Sequence, residues 1–241
     1  KGIRNTKKIT KAMELVSASK MRRAVNGALA IRPYAKQARQ LLHNLSLVTE
    51  AAQHPLLVER PVVQSVAVVF SSDRGLAGGL TSNLVRTVLQ LRQRHESVTT
   101  HYIVFGKKAQ EALRRQGAEL LAVFPMPSGV VKVSDVLPAA RIILHAYRDA
   151  TCDRVDLIWS DYQSALLQKP KTRKILPISE EILERRLAET GGVQDGNGFA
   201  KQEYLFEPSA DVALEALLPR LIEMQLYHAL LEATASEHAA R

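Results

Sequence analysis

Three groups of residues have the types and spacing from which chemistry is built. Eight of the first 23 residues are basic: Lys1, Arg4, Lys7, Lys8, Lys11, Lys20, Arg22 and Arg23, set against the single Glu14. That stretch carries +7 of a formal +9 for the 241-residue chain, so the remainder is nearly neutral. Charge this concentrated suits an acidic partner: nucleic acid, an anionic membrane surface or an acidic protein. The second group is the turn from Ser71 to Gly79, glycine-rich and directly after an apolar run, where a phosphate cradle would stand. Gly75, Gly78 and Gly79 match neither G-x-G-x-x-G nor G-x-x-x-x-G-K-[ST], and the next strand candidate ends at Phe105, Gly106 and Lys107 with no acid to hold a ribose. A tight strand-to-helix turn explains the glycines. The third group is His228 and His238, ten residues apart, which read as polar breaks in a helical seam rather than metal ligands. The lone Cys152 excludes an intrachain disulfide and a cysteine-based zinc cluster, and is expected to be buried at a helix end. With no H-E-x-x-H and no G-x-S-x-G either, the residues suggest no catalytic set, cofactor site or metal site.

The basic cluster must be displayed by a helix. Lys1 to Ala52 reads as one continuous helix, and from Met21 its small and apolar residues fall at Ala24, Ala28, Ile31, Ala35, Ala38, Leu42 and Leu45, in alternating steps of three and four. That is a heptad seam, the pattern by which two helices wrap around each other. Half of its positions are alanine, which allows close approach while burying little area per contact. At about 1.5 Å per residue the helix is a rod of roughly 75 Å, bent where Pro33 removes a hydrogen bond. A second seam closes the chain: Leu214, Leu217, Leu221, Met224, His228, Leu231, Ala235 and His238 repeat the same steps, with Ser209 as N-cap, Asp211 in the first turn and Pro219 inside. The simplest arrangement pairs the two seams antiparallel, as a stalk growing from a globular foot.

Between them strands and helices alternate. Val62 to Phe70 is rich in β-branched residues and almost continuously apolar, as in a strand covered on both faces. An amphipathic helix follows to about Arg94, then a strand at Tyr102 to Phe105, a helix at Lys107 to Gln116 and a strand at Glu119 to Phe124. A helix over Val133 to Ala150 has Ser134 as its N-cap, and Val155 to Ser160 is a fourth strand. Ala165 to Ile178 reads as a strand or hairpin arm whose Lys169, Lys171, Arg173 and Lys174 form a solvated loop. Ser179 starts a short helix, and Gly191 to Gly198 is a loop by composition. The fold class expected is α/β, an antiparallel coiled coil of the terminal helices joined to an open α/β sheet. The divisions fall at residues 1–60, 61–207 and 208–241. No apolar run approaches the length of a membrane span.

Three patches resemble one family. Ile9 to Arg23 (ITKAMELVSASKMRR), Ser72 to Leu80 (SDRGLAGGL) and Tyr204 to Pro208 (YLFEP) are similar to the signature segments of the gamma subunit of F-type ATP synthase. The resemblance implies a non-catalytic rotor shaft with a Rossmann-like domain at its base. Its partners would be the alpha and beta subunits of the catalytic head, the epsilon subunit and the c-ring, and it would touch the membrane only through the complex. The implied location is the cytoplasmic face of a bacterial inner membrane, with the matrix side of a mitochondrial one as the alternative. By the same resemblance Met21, Arg22 and Arg23 face the acidic lever of beta, Arg74 and Gly75 lie in a second contact near it, and Tyr204 and Glu207 meet the c-ring and epsilon. Family members run on at both ends, so this chain is expected to be a shortened one. Residues Gly191 to Gly198 lack the cysteine pair of the chloroplast redox switch. The alternatives are a basic coiled-coil nucleic-acid binder, disfavoured by the alanine-rich seam and the lack of a base-reading pattern, and a nucleotide-dependent enzyme on the α/β sheet.

Overall fold

The computed structural model describes residues 2–46, 54–178 and 209–241. The opening helix, α1, runs Gly2–Ser46 with Pro33 inside it, and the expected continuation to Ala52 lies outside the described residues, as do the short helix from Ser179 and the loop Gly191 to Gly198. The closing helix, α5, runs Ala210–Ala240, and the Ser209 side chain accepts a hydrogen bond from the Val212 amide as its N-cap. The two pair antiparallel. His238 feels the charge of Lys20, Gly27 abuts Leu231, and His54, in the connector after α1, meets Glu215 at 2.7 Å. Rising numbers on one side therefore face falling numbers on the other. At the contact, Gly27 has no side chain, and a Cβ built there would stand 3.2 Å from Leu231 Cδ2. Of the predicted seam on α1, Ala24 is buried and Ala28 and Ile31 pack on the core; the side-chain surroundings of Ala35, Ala38, Leu42 and Leu45 lie outside what is described.

The sheet is built from β1 (Gln64–Phe70), β2 (Thr99–Phe105), β3 (Leu120–Phe124), β4 (Arg154–Tyr162) and β5 (Gln168–Leu176), in the order β3-β2-β1-β4-β5. The first four are parallel, and β5 returns antiparallel to β4. Helices α2 (Leu80–Arg94) and α3 (Lys107–Arg115) cover one face, burying Leu84, Val88, Ala109 and Leu113 on Ala67, Val69, Tyr102, Val104 and Ile158. The opposite face, with Val66, Val68, Phe70, Ile103, Phe105, Leu157 and Trp159, is covered by α4 (Leu137–Arg148) and α5. Alternate side chains of each central strand thus enter two different cores, which explains the unbroken apolar run in β1.

Three sequence expectations are corrected. Val133 to Ala150 is not one helix: Val133–Asp135 is a 3-10 turn, α4 begins at Leu137 with Pro138 in its first turn, and Ser134 caps nothing. The cluster Lys169 to Lys174 is not a solvated loop but part of β5, with Lys171 and Arg173 lying 5.8 and 5.2 Å from the Trp159 ring centre. Most important, α5 does not project from the sheet as one strand of a free stalk. Besides the seam that meets α1, it buries Leu218, Ile222, Leu226, Ala229, Leu230 and Ala233, and its Ser236 Oγ donates to the Ser160 carbonyl at 2.8 Å. A helix sandwiched between a sheet and another helix needs apolar residues all round.

Candidate functional site

The carboxyl ends of β1 and β4 lie side by side, and the chain leaves β1 toward β2 on its other side, so this is the topological switch point where open α/β sheets usually hold a ligand. Here the last turns of α5 cover it. Ser236 reaches the Ser160 carbonyl, and Ser72, Ser160 and Ser236 are all buried at this edge. Glu237, 7% exposed, pairs with Arg241 at 2.6 Å. Burial, opposed by Arg241, raises the Glu237 carboxyl above the usual range. His238 is pushed down to about 4, first by burial and then by the positive charges of Arg241, Lys20 and Arg74. Three cations from three segments, α1, the β1-to-α2 loop and the end of α5, therefore converge on one side chain.

The loop carrying Arg74 is held rigidly at its root. Asp73 accepts the Lys107 amide through Oδ1 at 2.9 Å and the Met126 amide through Oδ2 at 3.0 Å. One carboxylate thus caps the start of α3 and ties down the strand exit after β3, where its negative charge suits the helix N-terminus. Gly106 is required beside it: φ is +98°, and a Cβ would come within 2.9 Å of three Ser72 backbone atoms. Beyond Asp73 the loop turns outward. Arg74 and Gly75 are exposed, and Leu76 is 78% exposed with φ at +61°, a left-handed conformation that is costly for a leucine and is retained where surrounding structure imposes it.

On α1, Arg22 and Arg23 are exposed, Arg23 donating to Ser19 Oγ at 3.2 Å. Lys20 Nζ donates to the Ser128 carbonyl at 3.0 Å. Met21 is different: it is half-buried, and the Tyr162 hydroxyl donates to its sulfur at 3.9 Å. Helix α1 is therefore tied to the loop after β3 at Lys20 and to β4 at Met21, while the next two residues are exposed at the end of the molecule where Lys20 and Arg74 both act on His238. Tyr204 and Glu207 lie outside the described residues. The sequence alone does not single out Asp73, Leu76 or Tyr162, and marks Lys20 only as one of the basic cluster. An Asp two residues before a glycine in a strand exit was the one available sign of a backbone-binding turn.

The arrangement is a rigid, outward-facing set of cations on a pinned base. Among the described residues no group of three or more His, Cys, Asp or Glu side chains could hold a metal ion, and no helix is long and apolar enough to cross a membrane. A family model described as ATP synthase matches residues 1–241. The ATP synthase gamma chain of Herpetosiphon aurantiacus is 40% identical over 252 residues, an alignment spanning 100% of this chain and 81% of that protein. The gamma chain of Opitutus terrae is 36% identical over 243 residues, with 100% and 81% covered. A chain in the cryo-EM structure of the Tetrahymena thermophila mitochondrial ATP synthase central stalk and c-ring superposes with a TM-score of 0.69 at 25% identity, covering 96% of this chain and 95% of that one.

Proposed function

Because this chain belongs to the ATP synthase gamma chain family, and so is the non-catalytic rotor shaft of an ATP synthase, we propose that Arg22, Arg23 and Arg74 form its torque-bearing collar. The complex is membrane-bound and the shaft is a peripheral part of it. In this reading the alpha and beta subunits surround α1 and α5, and an acidic lever on beta rides over the collar. The epsilon subunit and the c-ring meet the opposite end, with Tyr204 and Glu207 as contacts there. Residues 1–60 and 208–241 act as the shaft and 61–207 as its seat, on the cytoplasmic side of a bacterial inner membrane.

The observation that carries this is the exposure of Arg22, Arg23 and Arg74 beside residues that are pinned. Torque requires unequal contact with the surrounding subunits, since a ligand that interacts equally with two states shifts neither. A fixed off-axis charge supplies that inequality: a pair of unit charges at about 4 Å interacts by roughly 4 kcal/mol at the effective dielectric of a protein surface, and the attraction fades smoothly as the lever passes. Met21 and Gly75 complete the contact as its flanks, the first setting the rotation of α1 against Tyr162, the second letting the loop turn out after Arg74.

The test is single-molecule rotation of the complex reassembled with Arg22→Ala, Arg23→Ala and Arg74→Ala together. Torque is expected to fall, and wild-type torque to fall toward the same value as salt shortens the Debye length from about 30 Å at 0.01 M to about 3 Å at 1 M. Unchanged torque in the triple variant at low salt refutes the collar. A nucleic-acid role finds no support in the relatives.

A further inference from the structure

We propose that Glu232 of α5 and Asp161 of β4 form a proton-binding site at the seat of the shaft, sharing one proton that holds the helix on the sheet. The geometry is specific. Glu232 Oε2 accepts the Trp159 indole N–H at 2.6 Å, and its side chain is 15% exposed. Asp161 follows Trp159 by two residues on β4, so the two side chains leave the same face of the strand, and the Asp161 carboxyl acts on Glu232 through its charge and as a hydrogen-bonding neighbour. Two carboxylates this close in a partly dry site cannot both ionise freely, so the less solvated one keeps a proton and donates it to the other. Burial, followed by the charge of Asp161, pushes the Glu232 carboxyl up to about 7.

The surrounding charges do not cancel this. From β5, Lys171 lowers the Glu232 value, yet less than burial and Asp161 raise it; Lys171 and Arg173 are also drawn to the Trp159 ring. On α5 itself, His228 Nε2 stands 3.6 Å from Glu232 Oε1. From α1, Gly27 abuts Leu231, the residue before Glu232, and Ala28 packs on the core. The remaining cations at this end, Lys20, Arg74 and Arg241, bear on His238 instead.

When the proton leaves, a Glu232 carboxylate and an Asp161 carboxylate face each other across the α5–β4 contact. The Trp159 bond survives, but the carboxyl-to-carboxylate bond is replaced by repulsion. The ligand is thus a proton, and its loss loosens the seat of α5 near neutral pH. The inference rests on contacts inside this chain and stands whether or not the collar reading holds.

Trp159 is the chain's only tryptophan, and its N–H bonds the titrating group, so its emission reports the site directly. The full chain is titrated from pH 4.5 to 9, with circular dichroism verifying the fold, alongside Glu232→Gln, Asp161→Asn and His228→Asn. An inflection near pH 7 is expected in the wild type and in His228→Asn. It should vanish in Glu232→Gln and move at least half a pH unit lower in Asp161→Asn. An inflection that persists in Glu232→Gln, disappears in His228→Asn, stays in place in Asp161→Asn or is absent from the wild type overturns the proposal. Should Glu232→Gln fail to fold, the Asp161→Asn shift decides alone.

Discussion

Replacing Leu231 by alanine should part the two helices of the shaft more effectively than any other single truncation at their contact. Leu231 is 3% exposed and faces Gly27. Truncating a buried leucine costs about 2–5 kcal/mol, the upper values applying where the hole cannot be refilled. Gly27 has no side chain to swing into the space, so a loss of about 4 kcal/mol is expected. The second half of the argument is a double-mutant cycle. In the wild type, Gly27→Ala gains roughly 1 kcal/mol of helix propensity, but its methyl group stands 3.2 Å from Leu231 Cδ2 and displaces it. In the Leu231→Ala background the crowding is gone and the methyl group occupies part of the void, so the two changes should couple favourably by about 1 kcal/mol. Urea unfolding followed through Trp159, which is 1% exposed, measures all four stabilities. A loss below about 1 kcal/mol for Leu231→Ala, as expected for surface changes such as Leu29→Ala, or strict additivity in the cycle, would refute the interlock.

Asp73→Ala removes the acceptor for two backbone amides and should destabilise the chain by about 2–3 kcal/mol, read as a lower urea midpoint; at this size it should also reduce torque in the assembled complex, because the Arg74 loop loses its root. Gly106→Ala should be worse, since positive φ and the 2.9 Å approach to Ser72 leave no room for a methyl group, and soluble yield at 37 °C is the simplest measurement. Cys152, whose thiol is pushed up to about 11 mainly by burial, should resist a thiol reagent at pH 8 in the folded chain and react at once in urea. The pH dependence of stability should separate into two opposed parts. Glu232, raised from 4.5 to about 7, holds its proton longer folded than unfolded, so its share of stability falls as pH rises across that window, by about 3 kcal/mol. His238, lowered from 6.5 to about 4, protonates later when folded, so its share rises with pH over about 4 to 6.5, by less than the full shift implies because the side chain is partly solvated. Urea midpoints of Glu232→Gln and His238→Asn, each compared with wild type from pH 4 to 8, should therefore diverge in opposite senses.

Local pattern alone determined that this chain has a long basic helix, a closing helix with a matching seam, and an open α/β sheet between them. Those features are written in near neighbours: steps of three and four, β-branched runs such as Val66 to Phe70, a serine at position 209 ready to cap. Periodicity records that a face is buried without saying what buries it, and there the tertiary structure decided. The alternation along α5 marks one seam, yet the helix has a second apolar face, which only the position of β4 explains. The lysines of β5 read as solvated from the sequence, yet Lys171 and Arg173 lie against the Trp159 ring, and nothing near Glu232 in the sequence points to Trp159, more than 70 positions away, whose indole N–H it accepts. Asp73 shows the same limit, because the amides it binds, at Lys107 and Met126, belong to loops that only the order β3-β2-β1-β4-β5 places together. Interactions along a helix or strand are set by bond geometry within a few residues, whereas the partners of a carboxylate across the sheet are set by how the strands are ordered, and no short stretch of sequence encodes that order.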